Sequence, residues 1–161
     1  ERLPELRSRL DAYAHQKLVP DDFIPVLRYD DEISLDDVNQ RFWEALGKLE
    51  PFGSGNPTPV FVARSARLVQ PPRIMKEKHL KLRVVRSSAS GNGSQRAHEV
   101  VGWRMAERAT IDPLLLGDTL DLAFTVDYNT HPDFGGVQLT MVDFARAVPV
   151  VVHPPVGVAK A

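Results

Sequence analysis

The 161-residue sequence contains no cysteine. Disulfides, thiolate metal sites and thiol nucleophiles are excluded together, and the composition fits a reducing compartment. Long apolar runs are also missing. No stretch approaches the roughly 18 apolar residues needed to span a bilayer, and the first residues, Glu1-Arg2-Leu3-Pro4, lack the apolar segment of a signal peptide. The expectation is a cytoplasmic protein without a membrane partner. Histidine is sparse, at positions 15, 79, 98, 131 and 153, with no second histidine at helical ligand spacing and no His-Glu-x-x-His motif. No phosphate-cradling Gly-rich loop with its lysine occurs. Gly53-Ser54-Gly55 lacks the flanking strand and helix of a serine nucleophile turn and has Pro57 and Pro59 close behind. Asp30-Asp31-Glu32 and Asp36-Asp37 imitate a two-metal carboxylate site, but a strand end and a helix start are places where acids cap and solvate. We therefore expect no catalytic residues, no metal site and no cofactor within this chain.

What is present is a strongly segregated charge. The formal net charge is only -1, yet residues 51–108 carry 11 Lys/Arg against 3 Asp/Glu, whereas residues 1–50 carry 7 against 12 and residues 109–161 carry 2 against 6. A cationic band inside a nearly neutral protein points to a local polyanion site, with a solvated basic face as the bland reading. A hydrophobic content of 43% supports one compact domain with a smaller piece attached.

The pattern changes character along the chain. Leu3, Leu6 and Leu10 recur at helical spacing, so residues 3–18 read as an amphipathic helix that needs a partner and ends before Pro20. Phe23 to Asp30 reads as a short strand, with Pro25 placing it at an edge or at the strand's start. A second helix follows, capped by Ser34, carrying Asp36 and Asp37 in its first turn, burying Val38, Phe42, Leu46 and Leu49, and stopping at Pro51. Trp43, beside Phe42, reads as core. Gly53, Gly55, Asn56, Pro57 and Pro59 then form a stiff turn cluster. Beyond it lie short strands over 60–69, 79–86, 99–105, 119–128 and 137–146. Five strands in about 90 residues suggest a small barrel. Ser87 to Gln95 reads as a flexible loop, 112–117 as a helical turn, and 149–161 as a loose tail.

Alternation in His79-Leu80-Lys81-Leu82-Arg83-Val84 puts Leu80, Leu82 and Val84 on an inner face and His79, Lys81 and Arg83 on the other. These outer residues are spaced by about 6.6 Å, twice the strand rise of roughly 3.3 Å. Such a ladder suits an extended phosphate backbone, with Arg73, Lys76 and Lys78 in the preceding turn adding positive charge. Trp103 and Arg104, read on the next strand, offer a stacking indole and a guanidinium, although a core tryptophan is the plainer reading. Asn129 and His131 occupy a turn, 129–136, that either edges the groove or simply closes a hairpin.

Several motifs in order resemble one family. These are Leu49-Glu50-Pro51-Phe52-Gly53-x-Gly55-Asn56-Pro57-x-Pro59-x-Phe61, Arg73, His79-Leu80-Lys81-Leu82, Gly102-x-x-Met105-Ala106-Glu107-Arg108, Gly117-Asp118-x-Leu120-Asp121-x-Ala123-Phe124, Asn129, and Gln138-Leu139-x-x-x-Asp143. Together they resemble the carboxy-terminal part of the RecJ family of bacterial single-strand-specific 5′ to 3′ DNA exonucleases, over nearly everything from Ile24 to Arg146. The resemblance implies an α+β chain: a helical and strand remnant of a DHHA1-type domain over 1–50, a Pro/Gly linker over 51–59, a five-stranded OB-fold β-barrel over 60–148 and a tail over 149–161. It implies a metal-binding catalytic domain, dependent on Mn or Mg, upstream in the parent and absent here. Two departures stand out. The family commonly has a glycine where this chain has Lys76-Glu77-Lys78, and Trp103 stands where phenylalanine is more usual.

The leading expectation is a module that binds single-stranded DNA for a nuclease acting in DNA repair and recombination. Arg73, Lys76, Lys78, Lys81 and Arg83 would contact phosphates, His79 would hydrogen-bond, and Trp103 with Arg104 would stack. The competing expectation is a structural or interaction module that docks on the parent nuclease, on a single-strand-binding protein or on a helicase. An autonomous hydrolase is the third reading.

Overall fold

The computed structural model describes residues 2–87, 96–132 and 135–147. The residues expected to form the 87–95 loop, beyond Ser87 itself, and the 149–161 tail lie outside the described residues.

Among the described residues seven strands form one mixed sheet: β1 (Asp31–Glu32), β2 (Phe61–Leu68), β3 (Arg73–Met75), β4 (His79–Arg86), β5 (His98–Gly102), β6 (Thr119–Asn129) and β7 (Gly136–Arg146). Their order is β1-β2-β6-β7-β5-β4-β3, and β2 also pairs with β4 through Ala66 to Leu68. Thus β2, β6, β7, β5 and β4 each pair with two others in a cycle, leaving β1 and β3 as appendages. β5 and β7 pair in parallel; the other pairings of the cycle are antiparallel.

The core is built from the strands of this sheet. Phe61, Ala63, Ala66 and Leu68 of β2, Leu80, Leu82 and Val84 of β4, and Leu120, Leu122, Phe124 and Val126 of β6 all belong to one buried cluster. In β2 the inward positions switch from odd to even numbers because a bulge intervenes between Ala63 and Ala66, where Ser65 takes a positive φ of 53°. An extra residue in one strand restores inward alternation only after a local kink. Asp121 holds this bulge, accepting from Ser65 N and from Arg64 Nη1, both at 2.9 Å.

The strands expected at 79–86, 119–128 and 137–146 match within a residue. The expected 99–105 strand ends earlier, at Gly102. Trp103 and Arg104 form a turn, in which Arg104 has a φ of 60°. A six-residue helix, α3 (Ala106–Ile111), follows, and the strand reading leaves it out. No helix forms over 112–117. Instead Asp118 closes a turn by accepting from Leu115 N at 2.8 Å, with Gly117 at a φ of 93°. β3 is likewise invisible in the sequence pattern, because a three-residue strand is too short to show alternation.

Upstream, α1 (Leu3–Lys17) forms as its spacing predicts but buries no side chain; Leu3, Leu6 and Leu10 remain exposed. Phe23 to Asp30 is not a strand. A 3-10 turn spans Pro20–Phe23, and ladder pairing is confined to β1, which runs parallel to Phe61 and Val62. Asp30 prepares that pairing: its N donates to Val60 O and its Oδ2 accepts from Val60 N, both at 2.8 Å.

The single helix expected after Ser34 is broken. Ser34 caps only a 3-10 turn at Leu35–Asp37, and α2 (Gln40–Leu46) begins afresh at Asn39. Asn39 is extended, accepts from Phe42 N at 3.1 Å and donates to Asp37 O at 3.0 Å. Its short polar side chain thus competes with the helix and caps a new one. Leu35 and Val38 enter the sheet's core, Phe42 packs edge-on against Phe61 at 5.3 Å, and Trp43 packs on Tyr128 at 4.7 Å. Leu49 stays exposed. The 49–56 corner is tied by Asn56, whose Nδ2 donates to Leu49 O at 2.8 Å and Pro51 O at 3.1 Å.

Candidate nucleic-acid interface

β4 presents the alternation that its sequence predicts: Leu80, Leu82 and Val84 are buried, while His79, Lys81 and Arg83 face outward. Antiparallel register brings further residues to this ladder. Arg73 of β3 stands opposite Lys81, and Glu99 of β5 stands opposite Arg83. Arg73, Lys81, Arg83 and Glu99, together with Gln70, Pro71 and Leu82, line a common concavity. Lys81 Nζ is 2.6 Å from Glu99 Oε1.

The β3–β4 turn supplies Lys76 and Lys78. Lys78 N donates to Met75 O at 3.2 Å, and both central residues, Lys76 and Glu77, have positive φ of 49° and 59°. Two left-handed residues in succession mark the tight hairpin turn whose twist matches its strands. This accounts for the glycine that the resemblance places nearby: the backbone adopts a conformation that glycine enters without steric cost.

A second group forms beside the turn. Arg104 N donates to His79 Nδ1 at 3.0 Å, and the rings of His79 and Trp103 meet edge-to-face at 4.9 Å and 76°. One imidazole nitrogen is therefore committed to the backbone, and His79 acts as a bracket for the Trp103–Arg104 turn. Trp103 is 56% exposed, so its indole is a surface group and not core. Lys78 and Arg104 line a common depression with Glu77 and Glu107. The residues singled out from the sequence thus fall into two neighbouring sets, Arg73–Lys81–Arg83 and Lys78–His79–Trp103–Arg104, with Lys76 at the turn between β3 and β4.

Three other cations of the basic band, Arg64, Arg86 and Arg108, are engaged structurally. Arg64 pairs with Glu32 and Asp121, which raises the guanidinium's pKa further, chiefly through the hydrogen bond to Glu32. The same bond, aided by Tyr29, holds the Glu32 carboxyl below its ordinary value. Arg86 pairs with Asp36, and Arg108 lies over the Phe144 ring at 5.0 Å. By contrast, Arg73, Lys76, Lys78, Arg83 and Arg104 make no ion pair among the described residues.

Glu99 is the site residue that sequence reasoning missed. An isolated acid in a basic stretch was visible, but its position opposite Arg83 depends on hairpin register. Asn129 and His131 form the base of the β6–β7 hairpin, where His131 N donates to Asn129 Oδ1 at 3.0 Å and Gly136 stands opposite Asn129. Among the described residues no group of three or more His, Asp or Glu side chains is placed to hold a metal ion, and no helix is long and apolar enough to cross a membrane.

Comparison with known proteins matches residues 29–143 to the RecJ OB domain family. A curated relative, the single-stranded-DNA-specific exonuclease RecJ of Bacillus subtilis (strain 168), is 33% identical over 90 residues, which are 55% of this chain and 12% of that protein. Crystal structures of RecJ from Thermus thermophilus in complex with Mn2+ and with Mg2+ align over 91% of this chain, at 21% and 22% identity and TM-scores of 0.63 and 0.61. The matched region is 19% and 20% of those chains. The chain thus spans at most a fifth of the length of these RecJ proteins.

Proposed function

The chain belongs to the RecJ OB domain family, and we propose that it is the single-stranded-DNA-binding portion of a RecJ-like 5′ to 3′ exonuclease that acts in DNA repair and recombination. The observation that carries this reading is the convergence of Arg73, Lys81 and Arg83 on one outward face beside an exposed Trp103. Cations spaced along a strand track a phosphate backbone, and an exposed indole offers every base a stacking surface. Arg73, Lys76, Lys78, Lys81 and Arg83 contact phosphates, the second ring nitrogen of His79 hydrogen-bonds, and Trp103 and Arg104 stack.

On this reading the cycle of five strands is the OB barrel, within residues 60–148, and residues 1–50 are the trailing part of a DHHA1-type domain, joined to it by the 51–59 linker. Leu3, Leu6 and Leu10, exposed along α1, suit packing against an upstream catalytic domain. Hydrolysis, with its Mn or Mg, belongs to that domain, and this chain feeds it DNA. Bacterial cytoplasm is the proposed location.

A titration with oligo-dT tests the reading. Replacing Lys81 and Arg83 with alanine should weaken binding and flatten the log affinity against log salt slope by about 0.7 per lost phosphate contact. An unchanged slope would remove this face from the site. A second reading is favoured by the exposed apolar residues Ile111, Leu115 and Leu116: a module that docks on its parent nuclease, a single-strand-binding protein or a helicase. No binding of oligo-dT at low salt would favour that alternative.

A further inference from the structure

Glu99 is the acid on the outward face of β5 that is ion-paired within the basic cleft, 2.6 Å from Lys81 and directly opposite Arg83. It shares its concavity with Arg73 as well. Its side chain is 40% exposed, so neither packing nor burial requires a carboxylate there. Exposed ion pairs of this kind contribute little to folding. On the reading that this face binds single-stranded DNA, we propose that Glu99 is a resident phosphate mimic: its carboxylate occupies the position on Lys81 that a backbone phosphate takes, and each incoming strand must displace it.

The physical consequence is a weaker, faster-exchanging track. An unpaired lysine that neutralises a phosphate releases about 0.7 of a counterion from a single strand. A lysine that trades a carboxylate for a phosphate gains less, because the freed carboxylate stays beside the strand and holds a cation in its place. Glu99 therefore removes one cation from the electrostatic affinity without removing it from the surface. A track that feeds a strand through a nuclease must let go of each phosphate, and an internal competitor lowers the barrier to doing so.

The test uses the 161-residue chain, oligo-dT and a salt series. Glu99→Gln should bind about two- to fivefold tighter at low salt, the range expected for losing a competing exposed ion pair, with a slope steeper by about 0.7 and a slower dissociation rate. Asp127→Asn is the control, since it changes the net charge equally but lies on β6, which pairs with β2 and β7 and not with β4. That variant should bind as the parent chain does. Equal gains from the two variants would make the effect one of bulk charge and overturn the inference. So would an unchanged affinity in Glu99→Gln when the alanine replacements of Lys81 and Arg83 do weaken binding; the DNA-binding reading would then stand alone. If those alanine replacements leave binding unaltered, the reading and the inference fall together.

Discussion

The imidazole of His79 meets the indole of Trp103 edge-on, 4.9 Å between centroids, while its Nδ1 accepts the backbone N–H of Arg104 at 3.0 Å. A strand residue thereby orients an exposed aromatic that sits on no strand. Trp103→Ala should cost about 1 to 3 kcal/mol of oligo-dT affinity for a stacked base, with Trp103→Phe retaining most of it. His79→Ala should lose less, because it loosens the platform without deleting it. Intrinsic fluorescence reports the same contact: quenching on titration should vanish in Trp103→Ala although Trp43 remains. Full affinity in that variant would exclude stacking at this position.

The β3–β4 turn carries a cost that one substitution should relieve. Glu77 sits at a φ of 59°, where a side chain costs roughly 1 kcal/mol and glycine does not. Glu77→Gly should raise the melting temperature by about 3 °C. A lower melting temperature would mean that the turn relaxes to another geometry in solution.

Gly102 faces the opposite constraint. A Cβ there would lie 2.6 Å from Met141 Cε, 2.8 Å from Met105 Sδ and 3.2 Å from Met105 Cβ. The methionine ends can swing away, but Met105 Cβ can move only with its backbone. Gly102→Ala should destabilise the fold by about 1 to 3 kcal/mol, as overpacking does, measured by urea unfolding. It should also disturb the adjacent Trp103 turn, visible as altered tryptophan emission.

His98 predicts the pH response of stability. It is buried, and its Nε2 has no hydrogen-bond partner among the described residues. Burial, reinforced by Arg96, pushes its pKa below the ordinary value of 6.5. The unfolded chain therefore takes up the proton first. Its stabilising contribution is complete above pH 6.5 and is lost as pH falls toward the depressed folded value, at up to about 1.4 kcal/mol per pH unit. Glu32 and Asp118, both lowered by hydrogen bonds, act in the same direction but only below the ordinary carboxylate range. Stability of His98→Gln should depend less on pH than that of the parent as pH falls below 6.5. An identical profile would assign the acid sensitivity to the carboxylates.

Local chemistry alone was enough to locate the basic band, the two faces of β4, the turn at Pro51 to Pro59 and most strands, because alternation and turn residues act between near neighbours. The same reasoning joins 34–49 into one helix, since its apolar spacing ignores Asn39, whose side chain satisfies Asp37 O and Phe42 N and restarts the helix. It also extends a strand through Trp103, because nothing nearby in sequence shows that the distant His79 accepts the Arg104 N–H.

Pairing across strands decided the rest. The register that sets Arg73 opposite Lys81 and Glu99 opposite Arg83 joins segments whose separation along the chain carries no periodic signal. The positive charge of the central band was therefore legible residue by residue. Which of its cations are spent on Glu32, Asp36 or Asp121, and which one is held by Glu99, became visible only in the assembled sheet, because ion pairing depends on distance in space and composition contains none.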